Sequence, residues 1–252
     1  ALYKHWFVDF EFPNENGEPY KSSGGSMVYN EELDKEIPEG WGVKILDFFV
    51  KDSLGGDWGK ESPTGNYTEK VRCIRGTDIP LFKSGDLESA PVRYILFKNL
   101  KSRQVSPNQI VIEISGGSPT QSTGRAVLVS ENHLNQITDK IICSNFCRTL
   151  KLISSETAPF FYSHLNYLYE IDYLFNFENS TTGVKNFDLS GFLNQEYLVK
   201  PPTNELNEFS KRHNIIQLNQ LVNRGEIRKL NCLKELLLSK MTKVEQEKVV
   251  VI

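Results

Sequence analysis

The sequence predicts an α+β fold, in which a mixed β-sheet domain with flanking helices is followed by a long C-terminal coiled-coil helix. Short segments rich in β-branched and aromatic residues recur between residues 41 and 202, with turn residues beside them, as expected of strands. After residue 204 the apolar residues recur every three or four positions with charged residues between them, which is typical of a long amphipathic helix. The two patterns divide the chain into a sheet-forming body and a helical arm.

The first 40 residues predict the end of a helix and then a loop. Apolar residues at helical spacing predict that 1–12 form the last turns of a helix, which Pro13 ends. The chain lacks an initial Met and starts as if inside this helix, so we expect it to be a fragment of a longer chain. Residues 13–40 are polar and rich in Gly, Pro and Asn, which predicts a linker loop.

The body is predicted to span 41–202. Its predicted strands are 43–48, 71–74, 110–114, 126–129, 146–152 and 196–199. The 3–4 spacing of apolar residues in 159–175 predicts one helix. A turn is expected around Thr182 and Gly183, and Pro201 ends the last strand.

The arm, residues 203–248, carries a narrow apolar seam of the kind found in coiled coils, with a phase skip near Gly225. Such a seam needs a partner to cover it, so we expect either self-association or docking on another subunit. The seam residues are Leu218, Val222, Ile227, Leu230, Leu233 and Leu237.

Composition is that of a globular protein that can bury a core, with 39% hydrophobic and 24% charged residues. No apolar run approaches the roughly 20 residues that cross a bilayer, so no membrane partner is expected. The net charge of −3 argues against nucleic-acid binding driven by bulk charge. The segment from Lys60 to Arg125, however, contains ten Lys and Arg residues but only six Asp and Glu residues, so its local net charge is +4.

The sequence offers no catalytic or metal site. Four cysteines are too scattered for a disulfide framework or a zinc site, which favours buried thiols and a reducing cytoplasm. The four histidines stand apart from Cys and carboxylates at ligand or triad spacing. We therefore expect neither a catalytic residue nor a metal.

Three loops in the basic stretch combine glycine, small hydroxyl side chains and arginine. Amides, hydroxyls and guanidinium groups all donate hydrogen bonds to phosphate oxygens, so these loops predict contact with a polyanion. The family resemblance described below implies that this polyanion is double-stranded DNA, and Thr77, Ser118, Thr120 and Gln121 are then predicted to approach base edges. The full set of predicted DNA-binding residues is Trp58, Gly59, Lys60, Arg75, Gly76, Thr77, Asp78, Ser115, Gly116, Gly117, Ser118, Thr120, Gln121, Thr123, Gly124, Arg125, Thr182, Gly183 and Lys185.

Each loop also has a purely structural interpretation. Trp58 could anchor its loop to the core, and Asp78 could pair with Arg75 in a strand-end turn. Glu113 could accept a hydrogen bond from cytosine or brace Arg125, and bracing is favoured. Only the order, spacing and basic bias of the loops together favour a binding function.

As a set, these motifs resemble the distal half of the DNA-specificity (S) subunit of type I restriction-modification systems. The resemblance covers nearly the whole chain. It is carried by the N-terminal stub 1–10, Ile37-Pro38-Glu39-Gly40-Trp41, Gly59, Arg75-Gly76-Thr77-Asp78-Ile79, Ser115-Gly116-Gly117, Gly124-Arg125, Pro201-Pro202 and Leu236-Leu237-Leu238-Ser239-Lys240-Met241.

The resemblance implies a non-catalytic protein whose target-recognition domain, here 41–202, recognises one half of a bipartite DNA sequence. In this family helical arms dock the methyltransferase (M) subunits, and a restriction (R) subunit joins them. The cofactor of methylation, S-adenosylmethionine, is expected on M, so no cofactor is expected in this chain. One recognition domain is absent, so the chain is either half of a full subunit or a half-subunit that pairs with itself.

Two other functions remain open from the sequence. The segment could be the recognition tail of a single-chain methyltransferase-nuclease, whose catalytic motifs would lie upstream. It could also be a coiled-coil adaptor that binds protein rather than DNA.

Overall fold

The computed structural model describes residues 1–116, 120–181 and 184–249, except the side chains of 180, 181, 184 and 242–249. Its strands are β1 (Met27–Asn30), β2 (Lys35–Pro38), β3 (Gly42–Ile45), β4 (Val50–Gly55), β5 (Tyr67–Ile74), β6 (Val92–Leu96), β7 (Gln109–Glu113), β8 (Ser115–Gly116), β9 (Ala126–Val129), β10 (Lys140–Cys143), β11 (Cys147–Leu152), β12 (Glu178–Thr181), β13 (Val184–Phe187) and β14 (Tyr197–Lys200). Its α-helices are α1 (Ile79–Lys83), α2 (Phe97–Arg103), α3 (Glu131–Asn135), α4 (Thr157–Glu170), α5 (Leu189–Gln195) and α6 (Thr203–Val249). The predicted α+β class is confirmed.

The strands form several small sheets rather than one. The central sheet is antiparallel with the order β4-β11-β7-β9. A second sheet, β10-β5-β6, joins β10 to β5 in parallel and β5 to β6 antiparallel. Smaller sheets are β12-β13-β8, β14-β3 and β1-β2. The sheet β10-β5-β6 therefore contains both parallel and antiparallel pairings, as expected of the predicted mixed sheet.

Both faces of the central sheet are buried at β7 and β9. Ile110 and Ile112 of β7 belong to the main core with Phe160 and Phe161 of α4. Val111, which points to the other face, packs in a second cluster beneath α1. Burial on both faces explains why residues 110–112 of the predicted strand 110–114 are continuously apolar, and the position of this strand is confirmed within one residue.

Edges and turns of the sheets differ most from the sequence prediction. Residues 13–40 contain the hairpin β1-β2 rather than only a loop, although half of its residues are polar. The predicted strand 43–48 ends at Ile45, and a 3-10 turn, Leu46–Phe49, follows. The predicted helix 159–175 is α4, which ends at Glu170 before a 3-10 turn at Tyr173–Phe177. Local periodicity does not show where a helix tightens or ends.

The N-terminal segment packs on the body instead of standing apart from it. Its helical turn Lys4–Val8 is of the π type, and Phe10 adopts φ 61° just beyond it. Tyr3, Trp6 and Phe7 are buried, and each of their rings lies 5.0–6.5 Å from the ring of Phe209 in α6. The predicted boundaries at 12, 40 and 202 therefore do not separate independent cores.

Helix α6 has two parts with different surroundings. Its first turns pack into the body through Leu206, Phe209 and Leu221, all buried. Farther along, Arg228 Nη2 lies 3.1 Å from Asp86 Oδ1. Every predicted seam residue is exposed instead: Leu218, Val222, Ile227, Leu230, Leu233 and Leu237. The long helix is confirmed, but the root of the arm is a core helix.

Candidate nucleic-acid interface

Four separate segments of the body meet around one cavity of about 540 Å³. The segments are the loop after β4, the turn after β5, the stretch from the end of β7 to the start of β9, and the turn between β10 and β11. Eight of the predicted DNA-binding residues line the cavity: Trp58, Arg75, Gly76, Thr77, Ser115, Gly116, Gln121 and Arg125. The structure thus brings together residues up to 67 positions apart in the chain.

The floor of the cavity is a buried ion pair between Glu113 and Arg125. Arg125 Nε and Nη2 donate to the two carboxylate oxygens of Glu113 at 2.8 and 2.6 Å. The exposed fractions of the two side chains are only 12% for Arg125 and 2% for Glu113. Glu113 raises the pKa of Arg125 through these hydrogen bonds. Glu113 was expected either to accept a hydrogen bond from cytosine or to brace Arg125, and in the structure it braces Arg125.

Two glycines give Glu113 its space. A Cβ on Gly76 would lie 2.0 Å from Glu113 Oε1, and a Cβ on Gly116 would lie 2.6 Å from the same atom. Gly116 also has φ +143°, which disfavours other residues. These glycines are therefore required for packing around the carboxylate, whatever their amides bind.

Arg75 is the more accessible of the two cavity arginines. Its Nε and Nη2 each donate to a carboxylate oxygen of Asp78 at 2.8 Å, so Asp78 holds the guanidinium in place and raises its pKa. The predicted turn pairing is thus present. The Arg75 side chain is 44% exposed, and a guanidinium has five N–H donors. Three donors remain for a ligand.

The segment from Trp58 to Lys60 is held against β6. The guanidinium of Arg93 lies 4.2 Å from the centroid of the Trp58 ring, and Arg93 Nε donates to the Trp58 carbonyl at 2.9 Å. Gly59 has φ +59°, and a Cβ there would lie 2.3 Å from the carbonyl oxygen of Tyr94. Lys60 is exposed but lies outside the cavity lining, with its Nζ 5.6 Å from the ring centroid of Tyr67.

Three further predicted residues have supporting contacts behind the cavity. Thr123 is buried and donates its hydroxyl to Glu178 Oε1 at 2.9 Å, while Lys185 Nζ lies 3.0 Å from Glu178 Oε2. Gly124 has φ +95° and packs on Leu174. Thr123 and Gly124 are thus buried in this conformation, and their predicted contact with DNA stays a prediction.

The remaining predicted residues either lie outside the described residues or do not line the cavity. Gly117, Ser118, Thr182 and Gly183 lie outside the described residues. Thr120 is described and exposed but does not line the cavity, and Asp78 is buried against Arg75.

Three polar side chains at the cavity are exposed and form no hydrogen bond with any part of the chain that the structure describes. They are Thr77, Gln121 and Asn145. Phe146 lies beside Asn145 on the cavity, and 55% of it is exposed. The sequence prediction missed both of these residues. Their only signal is the turn Ser144-Asn145 between two apolar segments, which does not reveal that the turn reaches the other loops.

The described residues offer no cluster of metal-ligating side chains at the cavity. They contain no group of three or more His, Cys, Asp and Glu placed to hold a metal. Cys73, Cys143 and Cys147 are buried and free, as the sequence predicts, and burial raises the pKa of Cys73 to about 12. Among the same residues, no helix has the length and apolar character needed to span a membrane.

Comparison with known proteins found similarity to subunits of type I restriction-modification systems. No family model matches it. Over 226 residues it is 26% identical to the type I restriction enzyme MjaIX specificity subunit of Methanocaldococcus jannaschii. The chain is thus similar to a type I specificity subunit. The match covers 86% of this chain but only 44% of that specificity subunit, so the chain spans less than half of the relative's length. The resemblance predicted from the sequence motifs is confirmed.

Solved structures of type I systems are similar at lower identity. The S subunit from M. genitalium is 15% identical with a TM-score of 0.44, covering 71% of this chain and 38% of that one. The HsdS subunit from Thermoanaerobacter tengcongensis is 15% identical with a TM-score of 0.40, covering 78% and 44%. A chain from a type I R-M system solved for its assembly and conformational transition is 12% identical with a TM-score of 0.41, covering 84% and 48%.

Proposed function

We propose that the chain is a sequence-specific DNA-binding part of a type I specificity subunit, and that it recognises one half of a bipartite target. The observation that carries this proposal is the cavity, where three segments place eight predicted binding residues, and where exposed polar side chains form no hydrogen bond with the described part of the chain. The 26% identical specificity subunit supports the same function.

The geometry favours different roles for the buried residues under the cavity and for the exposed residues around its opening. The Glu113–Arg125 pair and the glycines around it fix the backbone, and Arg125 is too buried to be a main phosphate contact. Arg75 and Lys60 keep exposed cationic groups for phosphates. Thr77 and Gln121 are free to donate to and accept from base edges, and Gln suits the N6 and N7 atoms of adenine.

The arm supplies the link to catalysis in this proposal. Its exposed leucines form an apolar strip that the body does not cover. We propose that methyltransferase subunits bind this strip, that a restriction subunit joins the complex, and that a second copy of the chain can also pair through it. The chain itself would perform no chemistry, and S-adenosylmethionine would be held by the methyltransferase.

Selection from a random duplex pool with the full chain tests the proposal. We expect enrichment of one sequence, which then binds more tightly than a scrambled duplex in fluorescence anisotropy. Affinity should fall as salt rises, because phosphate contacts release counterions. Absence of both enrichment and salt-dependent binding would instead support the protein-binding adaptor.

Arg75→Ala tests the phosphate contact. We expect the slope of log affinity against log salt to flatten by about one unit, because one phosphate contact is lost. If Arg75 contacts a base, the enriched duplex should instead lose about 1–3 kcal/mol of binding free energy. Arg212→Ala is the control, because Arg212 is similarly exposed and paired with Glu208, but lies on α6. Unchanged affinity and slope would remove Arg75 from the site.

A further inference from the structure

The turn Ser144-Asn145-Phe146 between β10 and β11 is the fourth wall of the cavity. It presents in adjacent positions one exposed aromatic ring and one amide side chain that has no hydrogen bond to the described residues. Neither side chain contributes to the buried core. The turn therefore holds two groups that are available to a ligand and whose structural role is small.

The backbone of this turn is fixed from several sides. Ser144 N donates to the Ile74 carbonyl at 2.9 Å, and Cys147 N donates to the Ser144 carbonyl at 3.0 Å. The Phe146 carbonyl accepts from Ile114 N at 2.9 Å, which ties the turn to the end of β7. Gly56 approaches so closely that a Cβ there would lie 2.1 Å from Ser144 O. Asn145 and Phe146 are thus carried on a preorganised support, which lowers the entropy lost on binding.

The chemistry of the pair matches one kind of base pair. An asparagine amide can donate to N7 of adenine and accept from its N6 amino group in the major groove. A phenylalanine ring gives apolar contact to the 5-methyl group of thymine. An A·T pair presents both of these features on one edge, whereas a G·C pair presents neither the methyl group nor the same donor and acceptor pattern.

We infer that Asn145 and Phe146 recognise an A·T base pair, in which Asn145 contacts adenine and Phe146 contacts the thymine methyl. The inference rests on the proposed function, because it names what this wall of the same cavity recognises. It assigns specificity to a turn that lies outside the three glycine-hydroxyl loops.

Base analogues in the enriched duplex test each contact separately. 7-Deazaadenine lacks the N7 acceptor, and uracil lacks the 5-methyl group of thymine. We expect each analogue, placed at one particular A·T pair, to weaken binding of the full chain about tenfold, within the range of a direct base contact. Asn145→Ala should remove the effect of 7-deazaadenine but keep that of uracil. Phe146→Ala should do the reverse.

Matched variants elsewhere on the surface serve as controls. Phe97→Ala removes another exposed phenylalanine, and Asn135→Ala removes an exposed asparagine on α3. Neither residue lines the cavity. Both control variants should respond to the analogues as the unchanged chain does. Urea midpoints of all four variants should stay close to that of the unchanged chain, because each removed side chain is exposed.

The outcomes separate this inference from the proposed function. If no sequence is enriched, the proposed function fails and the inference fails with it. If a sequence is enriched but every A·T pair tolerates both analogues, the inference is wrong and the proposed function stands. The same holds if Asn145→Ala and Phe146→Ala keep the full sensitivity of the unchanged chain to both analogues.

Discussion

Gly76, Gly116, Glu113 and Arg125 depend on one another at the residue scale. The two glycines leave the volume that the carboxylate occupies, and the carboxylate neutralises a guanidinium that is mostly buried. Removal of either partner of such a pair leaves an uncompensated charge in a poorly solvated position. The cavity floor is therefore a single unit in which each residue is needed by the others.

Gly76→Ala tests the steric part of this unit. We expect it to lower the free energy of unfolding by about 1–3 kcal/mol, because the added methyl group overlaps Glu113 Oε1. Urea denaturation measures the change. Gly42→Ala is the control, since a Cβ at Gly42 meets only Lys200 Cβ at 3.9 Å. Equal stability of the two variants would contradict the packing argument.

Glu113→Gln tests the electrostatic part. The expected loss of stability is about 3–5 kcal/mol, because Arg125 keeps its charge without a compensating carboxylate. Asp9→Asn, which breaks the exposed pair with Lys4, should cost much less stability, because solvent screens an exposed pair. Chemical unfolding of both variants gives the comparison, and similar losses would argue against a buried pair.

The elements best predicted from the sequence are those whose surroundings are uniform. β7 and β9 are buried on both faces, so their apolar runs identify them, and the leucine spacing of α6 is regular. Strands at sheet edges were missed more often, including β4, β6, β10 and β12. An edge strand has one neighbour and less buried surface, so its sequence carries a weaker pattern.

The candidate site was predictable as a group of residues and in two of its pairings, Arg75 with Asp78 and Glu113 with Arg125. The glycine-hydroxyl loops were expected to act together, and residues of all three line one cavity. Arg125 was also expected on phosphate, yet its guanidinium is held by Glu113. Contacts between distant segments depend on tertiary structure, so the approach of Asn145 to these loops is not visible in local sequence.

The two parts of α6, the buried root and the exposed distal half, lead us to expect different effects from two deletions. At 47 residues the helix is about 70 Å long. A chain that ends at Pro202 loses Leu206, Phe209 and Leu221 from the core, so we expect it to unfold at much lower urea than the full chain. A chain that ends at Lys229 keeps those contacts and should retain a cooperative unfolding transition. Equal stability of the two shortened chains would contradict the assignment of the root to the core.

Association of the arm is tested by substitutions in its distal half. Leu230→Gln, Leu233→Gln and Leu237→Gln together should abolish self-association in sedimentation velocity, because they remove the exposed apolar strip. Lys229→Gln with Lys234→Gln, which changes charged positions in the same segment, should leave it intact. Self-association that survives the leucine substitutions would place the contact elsewhere on the molecule.

Stability of the whole molecule should depend on pH through two buried histidines. Burial lowers the pKa of His133 to about 4 and that of His164 to about 3. An unfolded histidine takes up a proton near pH 6.5, so acid favours the unfolded chain. We expect stability to be complete above about pH 6.5 and to fall toward pH 4 by up to about 1.4 kcal/mol per pH unit for each histidine.

Urea midpoints between pH 7.5 and pH 4.5 measure this dependence. His164→Gln, which can still accept the hydrogen bond from Tyr3, should reduce the slope by the share of one histidine. A variant at exposed His5 should leave the slope unchanged. Stability that does not vary over this range would mean that the buried rings are protonated in the folded chain.

The buried ion pair at the cavity floor and the exposed side chains around the cavity differ in a way that has an evolutionary consequence. Thr77, Gln121, Asn145 and Phe146 can be exchanged for other side chains at small cost to folding, because all four are exposed and the three polar side chains form no hydrogen bond with the described residues. Mutational drift at these four positions could therefore generate new target preferences in few steps. The same tolerance makes these positions a practical place for a laboratory library of altered specificities.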